Sequence, residues 1–528
     1  MVDTAENRST LRTLDRCFGE WYIEHFAHAR DNADQQQLLR IAQATSHAVF
    51  LKHTCVDLGI YPALSEPVLD ALLAGITPQD VQRLVPEQAR QPLVRSADGQ
   101  RVWLQKYHGF EWAVATSLQA LRTQGRLDII TGGPGTGKTW TAAHRIQQTL
   151  EKNLACRILL AAPTGKAANN MMVALGNAGF AADAYGLKGL TLHSLLGMHG
   201  NSPKPRRDRR QPLVCDLLIV DEASMVDLPM MYRLLEAIPP QASLLLLGDK
   251  DQLASVEAGS VLGEICKAFA HTPSVTTLLK SRRYEHSPEI GALAEALNRG
   301  DVCDMRNNIA VKSHRLDAAH PWQPGWLPAA LAAIAAVPQQ EGVSVADVLR
   351  AQKNFQILCA LREGPQGVNG INAMIEKSLG KKTGSWYAGR PVMITQNDHD
   401  RHLYNGDVGM VLPVAADGAT LADRGDLKAC FIVNGQVRTI SLAQMPAHET
   451  SYAVTIHKSQ GSEYDHVLIV LPADVNAVRD NPVLTRELVY TAVTRARSTI
   501  DLWGGEGVLE AVAKKTTQRM SGLNTFLC

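Results

Sequence analysis

The chain has 528 residues, 45% of them hydrophobic and 20% charged, with 53 basic against 52 acidic side chains for a formal charge of +1. This composition excludes disorder, a collagen-like repeat and a small disulfide scaffold as descriptions of the whole, and at roughly 150 residues per domain it provides for three to four domains. The charge balance neither requires nor excludes nucleic acid, because a basic track can be local. Nine scattered cysteines with no CxxC pair argue against a zinc ribbon and for a reducing compartment. No apolar run approaches the ~20 residues of a membrane span, and the polar start MVDTAENRST does not read as a signal peptide.

Residues 1–110 read as mostly helical: Leu38, Leu39, Ile41, Ala42, Ala44, Ala48, Val49 and Leu51 recur at helical spacing before Gly59–Pro62 breaks the pattern. His47 and His53 lack a surrounding ligand set and read as ordinary histidines, so the segment is expected to be a docking or scaffold domain. At 127–130 a short apolar strand leads into a glycine-rich loop and a helical pattern to about Leu150. Strands at 157–162, 217–220 and 243–247 follow, separated by helical stretches. That alternation predicts an α/β domain over 111–270, with a mostly parallel sheet covered on both faces. Helical content rises over 271–395. Short strands with turn signals at Asn405-Gly406-Asp407, Asp417-Gly418 and Asn434-Gly435 then suggest a small β module over 396–450. Residues 451–528 return to strand–helix order, which makes the module an insertion in a second α/β domain.

The loop Gly132-Gly133-Pro134-Gly135-Thr136-Gly137-Lys138-Thr139 is a complete phosphate-binding signature between a strand and a helix. Its glycines let backbone N–H groups turn toward phosphate oxygens, Lys138 can reach the β- and γ-phosphates, and Thr139 can hold Mg²⁺. The apolar strand at 217–220 ends in Asp221-Glu222. Asp221 is expected to orient the metal ion, and Glu222 to activate water as general base. The pair predicts ATP hydrolysis rather than nucleotide storage. Gln252, after the strand that ends in Gly248-Asp249, can sense a γ-phosphate. Arg283 and Arg495 are expected to reach that phosphate across a cleft, which would link hydrolysis to domain closure.

Polar loops at Thr164, His193 and His457-Lys458 can hold the backbone of a nucleic-acid strand, and Gln460 reads as a further nucleotide contact. Five basic residues between Lys204 and Arg210 read equally as a loop over that track or as a solvated loop. An aromatic fraction of 5% does not suggest a broad stacking platform.

Together the runs GGPGTGKT (132–139), AAPTGKAAN (161–169), TLHSLLG (191–197), VDEASMVDLPMM (220–231), LLLLGDKDQLASVEAG (244–259), SRRY (281–284), VTIHKSQGSEYD (454–465) and LVYTAVTRAR (488–497) resemble superfamily 1 helicases. Their wording is similar to the RecD branch. Thr45-Ser46-His47-Ala48 and His53-Thr54-Cys55-Val56-Asp57-Leu58 are similar to the alpha subunit of the bacterial exodeoxyribonuclease V complex. The resemblance implies two RecA-like motor domains with an SH3-like insertion in the second. It implies ATP and Mg²⁺ as cofactors, and 5'-to-3' movement on single-stranded DNA held near Thr164, His193 and His457. It also implies docking of the N-terminal region on the RecC-type subunit, within a heterotrimer with RecB- and RecC-type partners in the bacterial cytoplasm, with DNA cutting left to the RecB-type subunit. A stand-alone RecD2-like helicase and a largely structural nucleotide-binding subunit are the alternatives. Two departures stand out. The upstream glutamine that reads adenine in such helicases is absent, with Trp112 followed by Ala113 and with Gln105 and Gln119 off position. Lys52 stands where the family tends to have glycine.

Overall fold

The computed structural model describes residues 10–528 except 65, 88–90, 199–203, 256, 286, 302–310, 316–326, 336–341, 399–400, 402, 417, 423–424 and 434. The expected turn residues Asp417 and Asn434 lie outside the described residues.

Helices α1 (Thr13–Phe26) and α2 (Asn32–Phe50) pack together at the N-terminal end, and α2 buries Leu38, Ile41, Ala42, Ala44 and Ala48 at the spacing read from the sequence. His47 Nδ1 lies 3.0 Å from the buried Asp15, and among the described residues no cluster of His, Cys, Asp or Glu can hold a metal. The region is not helical throughout. Strands β1 (Cys55–Asp57), β2 (Leu93–Arg95) and β3 (Arg101–Leu104) form an antiparallel sheet in the order β1-β3-β2. Segments this short contain too few residues to display a period of two. Helix α3 (Gln105–Thr123) starts directly on the end of β3 and runs through position 110.

The next six strands are β4 (Leu127–Gly132), β5 (Ile158–Ala162), β6 (Gly189–Thr191), β7 (Leu217–Val220), β8 (Ser243–Gly248) and β9 (Val275–Leu278). They form one parallel sheet in the order β6-β5-β7-β8-β4-β9. Alternate side chains divide between two cores. Leu127, Ile129, Leu218, Val220, Leu244 and Leu246 enter one; Ile130, Ile158, Leu160, Leu217, Ile219, Leu245 and Leu247 enter the other. A strand's period of two therefore buries both faces, and this is why these strands read as unbroken apolar runs. Helices α4 (Lys138–Lys152) and α5 (Gly165–Asn177) follow β4 and β5.

Strands β10 (Val311–Arg315) and β11 (Phe355–Cys359) open a second parallel sheet. It is completed later by β17 (Ala453–Thr455), β18 (Tyr464–Val470) and β19 (Ala496–Gly504), in the order β10-β19-β18-β11-β17. Between them lies a five-stranded antiparallel sheet of β12 (Pro391–Ile394), β13 (Val408–Val414), β14 (Asp426–Val433), β15 (Gln436–Ser441) and β16 (His448–Thr450). Its first strand precedes position 396, because Pro391–Met393 pair with Val408–Met410.

After helix α6 (Arg486–Val493), β19 and a further helix over Val508–Lys514, whose Val508, Val512 and Ala513 still enter the core of the second domain, the chain returns to the first. Helix α7 (Leu523–Leu527) packs on α3, and Leu523 and Leu527 join the core of the first sheet. The tail is joined to the N-terminal region as well. Met520 N–H donates to His53 Nδ1 at 3.0 Å, and Thr54 N–H donates to the Met520 carbonyl at 3.0 Å. The segment 519–528, expected in the second domain, thus belongs spatially to the first. Ten residues of mixed polarity give no sign of which core they will complete.

Candidate nucleotide site

Three adjacent strands of the first sheet deliver the site. β7, β8 and β4 end in Asp221, Asp249 and the glycine-rich loop, all at their C-terminal edge, where open parallel sheets leave a crevice. Gly137 caps α4 in the left-handed region with φ 92°, and Gly135 has φ 74°. A Cβ at Gly135 would lie 2.4 Å from Arg283 Cβ, so only glycine lets the loop pass under that arginine. Lys138 Nζ curls over the loop and donates to the carbonyls of Gly132 (2.6 Å) and Gly133 (3.0 Å). Thr136 Oγ1 also donates to the Gly133 carbonyl, at 2.8 Å.

A cavity of about 680 Å³ runs along this edge. Pro134, Gly135, Gly137, Lys138, Thr139, Asp221, Glu222 and Gln252 enter it from the first domain, and Arg495 from the second. Arg283, from the segment after β9, lines it as well. Lys138 and Arg495 therefore face one space. Gln460 does not line this cavity, whereas its neighbours Gly461, Ser462 and Glu463 do.

Asp221 accepts the Glu222 N–H at 2.8 Å, and its acidity is weakened first by burial and then by the Glu222 charge beside it. A half-buried carboxylate in that position suits a cation. Glu222 has φ 51°, a left-handed conformation that a side chain adopts at a cost of roughly 1–2 kcal/mol, and it turns the carboxylate into the cavity. Gln252 Nε2 donates to Asp249 at 3.0 Å. Tyr490 of α6 donates to the same carboxylate, also at 3.0 Å, and Leu253 N–H donates to Thr491 Oγ1 at 3.1 Å. The Gln252 loop is thus hydrogen-bonded to a helix of the second domain.

Arg495 is 4% exposed and donates within its own domain, to the carbonyls of Thr491 (3.0 Å) and Ser462 (3.3 Å) and to the Thr494 hydroxyl (3.3 Å). Arg283 pairs with Glu463 and donates to the Thr494 carbonyl at 3.3 Å. Glu463 also pairs with Arg497, and burial, which opposes ionisation, is outweighed by these arginines, so its pKa falls.

A family profile described as an AAA domain matches residues 117–258, and one described as a UvrD-like helicase C-terminal domain matches residues 450–500. The RecBCD enzyme subunit RecD of Mycolicibacterium smegmatis is 38% identical over 445 residues, covering 79% of this chain and 75% of that protein. The chain belongs to the RecD family. The ATP-dependent RecD2 DNA helicase of Deinococcus radiodurans is 33% identical over 383 residues, 70% of this chain and 46% of that one. A solved structure of two coordinating Pif1 helicases at forked DNA aligns with a TM-score of 0.39 and 19% identity, covering 74% of this chain and 91% of that one. Among the described residues of this RecD-family chain, no helix is long and apolar enough to cross a membrane.

The residues read as a nucleic-acid track stand outside the nucleotide cavity. Thr164 caps α5 by accepting the Ala167 N–H at 3.1 Å. His193 is exposed on a short helical turn, and Lys458 pairs with Glu449 at 2.7 Å. His457, whose pKa burial lowers, lines a second cavity together with Lys52, Leu253 and Arg519. Lys52 occupies the left-handed region with φ 70°, where a glycine would carry no strain.

Several residues escaped the reading of the sequence. Lys166 donates to the Gly406 carbonyl (3.2 Å) and to Ser462, and burial pulls its pKa down to about 8. It ties the first domain to both the second and the inserted sheet. Glu111 of α3 accepts from Thr54, Trp103 Nε1 (2.8 Å), Ser521 (2.7 Å) and the Gly522 N–H (3.1 Å). Little in the local sequence marks it as a hub, because all these partners but Trp103 come from elsewhere in the chain. Gln119 donates its amide to the carbonyls of Phe526 and Leu527, so its side chain is held by the tail.

Proposed function

We propose that this chain is an ATP-driven 5'-to-3' DNA translocase and helicase, the motor subunit of a helicase–nuclease complex with RecB- and RecC-type partners in the bacterial cytoplasm. The observation that carries this reading is that Lys138, Glu222 and Gln252 of one sheet domain and Arg495 of the other line a single cavity. Lys138 releases its loop carbonyls and pairs with the β- and γ-phosphates, while the N–H groups of Gly135 to Thr139 hold their oxygens. Thr139 and Asp221 hold Mg²⁺, whose charge offsets that of the phosphates. Glu222 takes the proton of the attacking water. Arg495 and Arg283 neutralise charge that develops on the transferred phosphoryl group.

The second domain reports the state of the phosphate through α6. Loss of the γ-phosphate is felt by Gln252, whose loop is bonded to Tyr490 and Thr491. Thr164, His193, His457 and Lys458 hold single-stranded DNA on the far side of these loops. Polarity and partners rest on family membership.

DNA-stimulated ATP hydrolysis, with unwinding of 5'- and 3'-tailed duplexes, tests the reading on the chain alone and with RecB- and RecC-type subunits. Unwinding of the 5'-tailed duplex is expected. Nucleotide binding without hydrolysis, alone and in the complex, would leave only a structural subunit; full activity without affinity for the partners would favour a stand-alone helicase.

A further inference from the structure

We propose that Trp140 is the platform on which the base of the nucleotide stacks, so that the base is held chiefly by its face. This rests on the phosphate loop being the nucleotide site. Trp140 follows Thr139 on the first turn of α4 and lines the same cavity as Lys138. Its indole is 55% exposed, which leaves the ring accessible from the cavity.

The ring is already set in position. It stacks on His144 one turn later, with centroids 5.6 Å apart and planes 13° from parallel. His144 Nε2 lies 3.0 Å from the amide of Gln148 one turn beyond, which holds the imidazole in place. The ladder at i, i+4 and i+8 occupies one face of the indole, and the half-exposed ring borders the cavity.

The surroundings match a purine beside a triphosphate. Val173 of α5, 56% exposed, lines the cavity, and Val408 and Ile432 line it from the inserted sheet. The cavity therefore offers both the charges of Lys138 and Arg495 and apolar side chains, set among polar ones such as Asn170 and Asn177. Neither Gln105 nor Gln119 lines it, and the Gln119 amide is already committed to the tail. Stacking on an aromatic face is worth about 1–3 kcal/mol per base and tolerates any base, so it compensates for a missing edge contact without restoring selectivity for adenine.

The test uses the full chain and compares Trp140→Ala and Trp140→Phe by ATP and GTP hydrolysis and by inhibition with inorganic tripolyphosphate, which has no base. Trp140→Ala is expected to raise KM about fivefold or more for ATP and GTP alike. Trp140→Phe is expected to raise it less than about threefold, and the tripolyphosphate inhibition constant is expected to move less than about twofold in both variants. An unchanged ATP KM in Trp140→Ala would overturn the stacking role, as would an equal loss of tripolyphosphate affinity. If the unmodified chain bound neither ATP nor tripolyphosphate, the nucleotide-site reading would fall and this proposal with it.

Discussion

Replacing Arg495 with alanine separates chemistry from architecture, because the structure allows both effects to be sized. The guanidinium is 4% exposed and donates to two carbonyls and one hydroxyl of its own domain. The Thr491 carbonyl keeps the Thr494 hydroxyl at 3.0 Å after the change. The Ser462 carbonyl is left needing a donor, which costs about 1–3 kcal/mol of stability. Nucleotide contacts from Lys138 and the loop amides belong to the other domain, so ATP affinity is expected to change less than about threefold, within ~1 kcal/mol. Turnover is different. An arginine delivered to the phosphoryl group contributes 10³-fold or more, so Arg495→Ala is expected to lower kcat about 10³-fold, equivalent to roughly 4 kcal/mol of transition-state stabilisation. Steady-state ATP hydrolysis on single-stranded DNA, paired with equilibrium binding of a fluorescent ATP analogue, reads both numbers. A fall in kcat of less than about tenfold with binding intact would refute the assignment of Arg495. Parallel losses in binding and turnover would show that the variant had lost its fold.

Lys138→Gln is expected to abolish ATP hydrolysis, since an amide supplies no charge where the ammonium sits over Gly132 and Gly133; unchanged turnover would remove the phosphate loop from the reaction. Glu111→Ala strands the Trp103 Nε1–H and the Gly522 N–H, while Thr54 retains the Met520 carbonyl and Ser521 retains Glu264. Two orphaned donors cost about 2–6 kcal/mol, measurable by denaturant unfolding together with faster proteolysis of the C-terminal tail, and a loss below ~1 kcal/mol would contradict the hub. Glu264 has its pKa raised from 4.5 to about 7, chiefly by burial, with the Glu111 charge adding to it. A carboxyl with a native pKa above its unfolded value binds its proton more tightly when folded. Its contribution to stability is therefore full below about pH 4.5 and is lost as pH rises toward 7, by about 3 kcal/mol. Glu264→Gln is expected to flatten that slope in unfolding measured from pH 4.5 to 7.5, and an unaltered slope would place the pH dependence elsewhere.

The amino-acid order alone nominated the candidate site residues of the first domain. Gly132 to Thr139 lie within eight positions, and Asp221 follows four apolar residues that have no other use than a strand buried on both faces, so local geometry and burial needed no distant information. Lys138, Asp221, Glu222, Gln252, Arg283 and Arg495 could be nominated from such local patterns. Whether Arg495 met Lys138 in one cavity, and whether Gln460 did, depended on how two sheets come together.

Tertiary structure by itself decided the rest. It set three short strands into the N-terminal region and carried the last residues back to α3. It also gave Glu111 three donors from distant parts of the chain, Thr54, Ser521 and Gly522. These features share one physical cause. Short strands and buried polar hubs are stabilised by partners remote in sequence, and a stretch of chain records its own periodicity but not the identity of the surface that will cover it.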